Sequence, residues 1–145
     1  MTTTKTGEEI RIGQDVVRFL VDAETTGGSA AMFEFDIPSD GTVPPPHSHD
    51  AFDETIYGLR GTLTWTVAGE VIAVGPGDVL HIPRGTVHSF QNLGTELATQ
   101  LGIATPGLLG PAYFRDIAAI INVDGPPDFA AALAVMRRHG LTPAI

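Results

Sequence analysis

Cysteine is absent from this chain of 145 residues. Disulfides, thiolate metal sites and cysteine nucleophiles are therefore excluded. Positive charge is scarce: 8 basic residues face 17 acidic ones, for a formal net charge of −9. A chain this acidic repels phosphate polyanions, which argues against nucleic acid and anionic membrane as partners. Charged residues make up only 17% and hydrophobic ones 43%, the reverse of a disordered composition. No apolar run reaches the length of a membrane span, and the opening MTTTKTGEEI lacks the apolar core of a signal peptide. The expectation is a soluble, cytoplasmic protein with residues 1–145 in one domain.

Turn formers are plentiful. Seventeen Gly and eleven Pro divide the chain into short segments, the rhythm of an all-β fold. Strands are expected at residues 16–21, 30–37, 54–59, 62–68, 70–74, 79–82, 87–91 and 96–103, with residues 2–6 a loose tail. Eight short strands suggest a sandwich or a closed barrel. Beyond residue 105 the apolar period lengthens from 2 to about 3.6. Phe114, Ile117 and Ile121 mark one helix beginning near Pro111; Phe129, Leu133 and Met136 mark a second, with Pro127 in its first turn. Gly140 stops it after Arg137-Arg138-His139. The two helices serve either as a buttress or as a lid.

Two stretches carry the chemistry. The first reads GTVPPPHSHDAFDETIYGLRG, residues 41–61. His47 and His49 lie two apart, so an extended backbone turns both imidazoles to one face. Glu54 is an odd number of residues beyond His47, and a bend or bulge near residues 50–53 is needed to bring it to the same place. The second stretch, GDVLHIPRGTVHSFQN at residues 77–92, reads as strand, turn and returning strand, with His88 early on the return. Three imidazoles and one carboxylate suit Fe(II), Mn(II), Ni(II), Co(II), Cu(II) or Zn(II). A six-coordinate ion held by four protein donors keeps about two positions open.

These residues resemble the cupin family. Gly41, His47, His49, Glu54 and Gly61 match the pattern Gly-x5-His-x-His-x4-Glu-x6-Gly, and Gly77, Pro83, Gly85, His88 and Asn92 match Gly-x5-Pro-x-Gly-x2-His-x3-Asn. The helical tail is similar to that of small cupins of the quercetin-dioxygenase kind. The resemblance implies an all-β jelly-roll barrel (double-stranded β-helix) over about residues 10–105, with two short helices over about 110–140. It also implies a homodimer and one divalent transition metal per chain, held by His47, His49, Glu54 and His88.

Other residues have two readings. His81 and His139 are surface or hydrogen-bonding histidines. Asp50 and Asp53 either orient imidazole N–H groups or are solvated loop carboxylates. Phe52, Ile56, Trp65 and Phe90 belong to the core or to a cavity wall. Thr62, Thr64 and Thr66 share a strand face and supply cavity hydroxyls or face water. Three functions compete: an oxygenase acting on an enol, phenol or diketone, with Glu54 as ligand and proton shuttle; a redox-neutral isomerase or lyase; and a non-catalytic small-ligand module.

Overall fold

A computed structural model describes residues 7–145; the expected tail at residues 2–6 lies outside the described residues. The chain forms β1 (Glu9–Ile12), β2 (Asp15–Val21), α1 (Ala23–Thr26), β3 (Ala31–Ile37), β4 (His47–His49), β5 (Asp53–Arg60) and β6 (Leu63–Val67). It continues through β7 (Glu70–Val74), β8 (Val79–Ile82), β9 (His88–Gln91), β10 (Ala98–Thr105), α2 (Pro111–Ile121), α3 (Phe129–Arg138) and β11 (Leu141–Pro143). Two antiparallel sheets, ordered β1-β2-β3-β10-β5-β8 and β11-β4-β9-β6-β7, make the jelly-roll barrel.

Alternation decides which side chains enter it. In β3, Ala31, Phe33, Phe35 and Ile37 are buried while Met32, Glu34 and Asp36 lie between them in half-exposed positions. On that outer face the Arg18 guanidinium grips both Asp36 oxygens, at 2.6 and 2.8 Å. From the second sheet Leu63 and Trp65 point inward. The Trp65 indole N–H donates to Gln100 Oε1 at 3.0 Å, and Gln100 donates to the Val74 carbonyl at 2.7 Å. Two wholly buried polar side chains are thereby satisfied, which keeps their burial inexpensive.

Four elements depart from the sequence expectation. β1, β4 and β11 are strands of three or four residues, too short for a periodic signal. α1, between two of the expected strands, is one helical turn closed by an Asp22–Thr25 capping box and by Gly27 in the left-handed region. The two C-terminal helices form where the apolar stripes place them, except that Asp128 caps α3 and Pro127 stays outside. Asn122, at the end of α2, ties it to the β1–β2 hairpin: its side chain accepts from Gly13 N–H and donates to the Arg11 carbonyl, both at 2.7 Å. None of the described helices is long and apolar enough to cross a membrane.

Candidate metal centre

β4 presents His47 and His49 inward with Ser48 between them, as period two requires. The β4–β9 register sets His47 directly opposite His88. All three imidazoles are buried, and one ring nitrogen from each falls within 4.8 Å of the others. The ring centroids of His47 and His49 each lie 4.6 Å from that of His88. His49 also stacks on the buried ring of Phe52 at 4.3 Å, which fixes its plane.

Glu54 arrives from the other sheet. Between His49 and Asp53 the chain leaves β4 and crosses to β5. The parity that would turn Glu54 away on a continuous strand therefore no longer applies. Glu54 looks back across the barrel interior, with its Oε1 3.8 Å from His88 Nε2. The group within 4.8 Å comprises the three imidazoles, and Glu54 stands at its edge.

Backbone carbonyls set the tautomers. His47 Nδ1–H donates to Pro45 O and His88 Nδ1–H donates to Thr86 O, each at 2.9 Å. A carbonyl can only accept, so both Nε2 atoms keep a lone pair for the interior. Burial, then the neighbouring imidazoles, pushes His47 down to about 4 and His49 down to about 2; burial also lowers His88. The three rings are neutral near pH 7, the form that binds metals. Burial raises Glu54 to about 7. Two fixed tautomers, neutral rings and a buried carboxylate with no compensating cation among the described residues fit a divalent transition metal.

Asp50 and Asp53 do not orient the imidazoles. Asp50 accepts from Thr142 Oγ1 at 2.6 Å, and Asp53 is held by Arg84, whose Nε lies 2.9 Å away. His81 pairs with Thr55 Oγ1 at 2.9 Å on the surface, and His139 Nε2 contacts Asp116 Oδ2 at 2.9 Å across the two helices. Thr64 and Thr66 alternate with the inward Leu63 and Trp65 and are only half-buried, and neither they nor Thr62 line the cavity beside the histidines.

A cavity of about 300 Å³ opens onto His47, His88 and Glu54, large enough for a small organic molecule. Its walls are mostly apolar, with Phe33, Phe35, Trp65 and Phe90 from the sheets and Phe114 and Met136 from the helices. Trp65 and Phe90 thus prove to be wall residues, while Phe52 and Ile56 belong to the core. α2 and α3 close one side. Asp15 and Tyr113 also line the cavity, and neither stood out in the sequence.

The fold and this geometry agree with known proteins. The family profile described as Cupin domain (Cupin_2) matches residues 33–103. Quercetin 2,3-dioxygenase of Bacillus subtilis (strain 168) is 31% identical over 111 residues, 77% of this chain and 32% of that protein. The chain thus spans about a third of the length of that relative. The structure of the polyketide cyclase RemF from Streptomyces resistomycificus superposes with TM-score 0.59 at 26% identity, covering 72% of this chain and 77% of that one. A predicted oxalate decarboxylase of Thermotoga maritima shares the fold, with TM-score 0.61 at 20% identity over 73% of this chain and 96% of the other. Each of the two sequence motifs contributes a strand to both sheets of the barrel, and the chain belongs to the cupin family.

Proposed function

We propose that this cupin is a metal-dependent enzyme, of oxygenase type, acting on a small enol, phenol or diketone with a largely apolar body. One observation carries the reading. Three buried neutral imidazoles, two with their Nε2 lone pairs turned inward, and the Glu54 carboxylate converge at the wall of an apolar cavity. His47, His49, Glu54 and His88 would hold one divalent transition metal, of the set Fe, Mn, Ni, Co, Cu or Zn. When bound, the ion supplies Lewis-acid or redox chemistry at its open positions.

The residues do the rest. Glu54 is a buried carboxylate on the cavity wall, so one of its oxygens accepts the proton of an enol or phenol hydroxyl and returns it later. Phe33, Phe35 and Phe90 bind the apolar body of the substrate and exclude water. A redox-neutral reaction is the second reading, favoured by the structural likeness to a polyketide cyclase at 26% identity. The proposal also keeps the homodimer that the motif resemblance implies. Its support is the exposed pair Tyr57 and Val79, which face each other across β5 and β8.

Elemental analysis of protein purified without added metal, followed by oxygen-electrode screening of enols, catechols and diketones, tests the reading. Close to one transition metal per chain and substrate-dependent oxygen uptake are expected. Turnover without oxygen consumption would replace the oxygenase with the redox-neutral enzyme. Failure to bind any of the six metals would overturn both.

A further inference from the structure

Tyr113 sits in the first turn of α2, after Pro111. Its ring is 6% exposed and is wedged edge-on between Phe114, at 5.0 Å, and His139, at 5.5 Å. Those contacts fix the ring and leave the hydroxyl without a hydrogen-bond partner among the described residues. Asp15 Oδ1 is the only fully enclosed polar side-chain atom without a partner among the described residues. The Tyr113 hydroxyl is therefore not fully enclosed, and Tyr113 is one of the residues that line the cavity.

Two chain connections bring it to the histidine end of that cavity. Ala104, near the end of β10, pairs with Glu54, and α2 begins seven residues later at Pro111. On the other side α3 runs through His139 into β11, where Leu141 pairs with His49. Glu54 is close enough to Tyr113 to act on its phenol electrostatically, and a phenol is a neutral donor near pH 7. An unpaired hydroxyl in an apolar wall is costly unless something in the cavity accepts from it.

Building on the proposed function, we infer that the Tyr113 hydroxyl is a substrate-binding donor. It gives its hydrogen bond to an oxygen on the end of the ligand that meets His47, His49 and His88. The ligand class this selects is a molecule with two neighbouring oxygens at one end and an apolar body, one oxygen facing the imidazoles and the other Tyr113. The C-terminal helices then form part of the binding site, which answers whether they buttress the barrel or cover it.

The test compares wild type and Tyr113→Phe, each loaded with Ni(II), titrated with 4-nitrocatechol under argon and followed by absorbance. Phenylalanine keeps the ring contacts, so metal content and melting temperature should match wild type. Affinity for 4-nitrocatechol should fall roughly 10-fold, as for one lost hydrogen bond to a charged acceptor. The absorption maximum of the bound probe should also shift, which a purely structural role would not produce. Equal affinity and an unchanged spectrum would overturn the inference while leaving the proposed function standing. A parallel loss of metal affinity would overturn it too, by showing that Tyr113 acts on the metal-binding residues through Glu54. Wild-type protein that takes up Ni(II) yet binds no probe would sink the ligand class and the role of Tyr113 together, and absence of metal uptake would remove the proposed function itself.

Discussion

The cavity has a buried carboxylate at each end, and the two keep different company. Glu54 lies in register with Ala104 and, through it, with Ala31 at the start of β3. Asp15 belongs to the other end, since its neighbour Val16 pairs with Asp36 near the finish of β3. Five residues of strand separate those levels, on the order of 16 Å. Burial raises both acids to about 7. Glu54 faces imidazoles with free lone pairs, a set of donors that gathers a cation. Asp15 accepts a hydrogen bond from the Thr42 backbone, feels the repulsion of Asp40, and leaves Oδ1 without a partner. A Cβ at Gly41 would stand 2.5 Å from that oxygen, so the glycine that opens the first motif is needed for close packing. The same desolvation therefore has two meanings. At Glu54 the proposed metal would relieve it, and at Asp15 it is a standing cost of anchoring the loop that leads to His47.

The sharpest way to break this comparison is to remove donors from one end only. In His47→Ala/His49→Ala, two of three imidazoles are lost from a strand that remains paired to β9 and β11. Metal content should drop from about one ion per chain to below about a tenth, an affinity loss of 10²-fold or more. Asp15→Asn, at the far end, should hold its metal as wild type does. Elemental analysis after dialysis reads both, and metal loss in the Asp15 variant would show that the two ends are not independent.

The next largest effect separates two roles of Glu54. Glu54→Gln keeps the size and one potential oxygen ligand but gives up the charge and the proton-accepting oxygen. Turnover per bound metal should fall about 10²-fold, measured on the substrate that the oxygen screen identifies. Undiminished turnover per metal would leave Glu54 a ligand and nothing more.

How legible these ends were in the sequence differs as well. His47 and His49 could be placed because period two needs no knowledge of distant contacts, His88 because strand, turn and return set it early on the second strand, and Glu54 because the motif resemblance named it. That Glu54 approaches from the opposite sheet could not be read, since the chain changes sheets within three residues and parity counts only along one strand. β4 was hidden by Pro44-Pro45-Pro46 ahead of it, and β11 by Pro143 and a length of three residues. The groups orienting His47 and His88 are carbonyls of Pro45 and Thr86, which every residue carries, so side-chain chemistry pointed instead to Asp50 and Asp53. Tyr113 is off the Phe114–Ile117–Ile121 stripe by one position, and Asp15 flanks a tight hairpin. Both become cavity residues only through pairings more than fifteen residues away.

The smallest effect concerns Asp15 and stability, and its sign follows from proton linkage. The Asp15 carboxyl ionises near 3.8 in the unfolded chain and near 7 in the folded one. Between about pH 4 and pH 7 the native state holds a proton that the unfolded state has released. The contribution of this group to stability is therefore greatest below about pH 4, declines as pH rises toward 7, and is flat beyond. Asparagine cannot ionise, and its amide oxygen can still accept from Thr42. Asp15→Asn should thus match wild type or fall slightly below it at pH 5, because its NH₂ replaces a protonated oxygen in a tight space beside Gly41. By pH 8 it should be more stable by about 2 kcal/mol, since ionising Asp15 costs wild type about 1.36 kcal/mol for each pH unit between 5 and 7. Other titrating groups contribute equally to both proteins, so the difference in urea midpoint between them, followed from pH 5 to pH 8, isolates Asp15. A difference that does not change with pH would mean that the Asp15 carboxylate finds a proton donor in solution. Its end of the cavity would then be as well compensated as the histidine end.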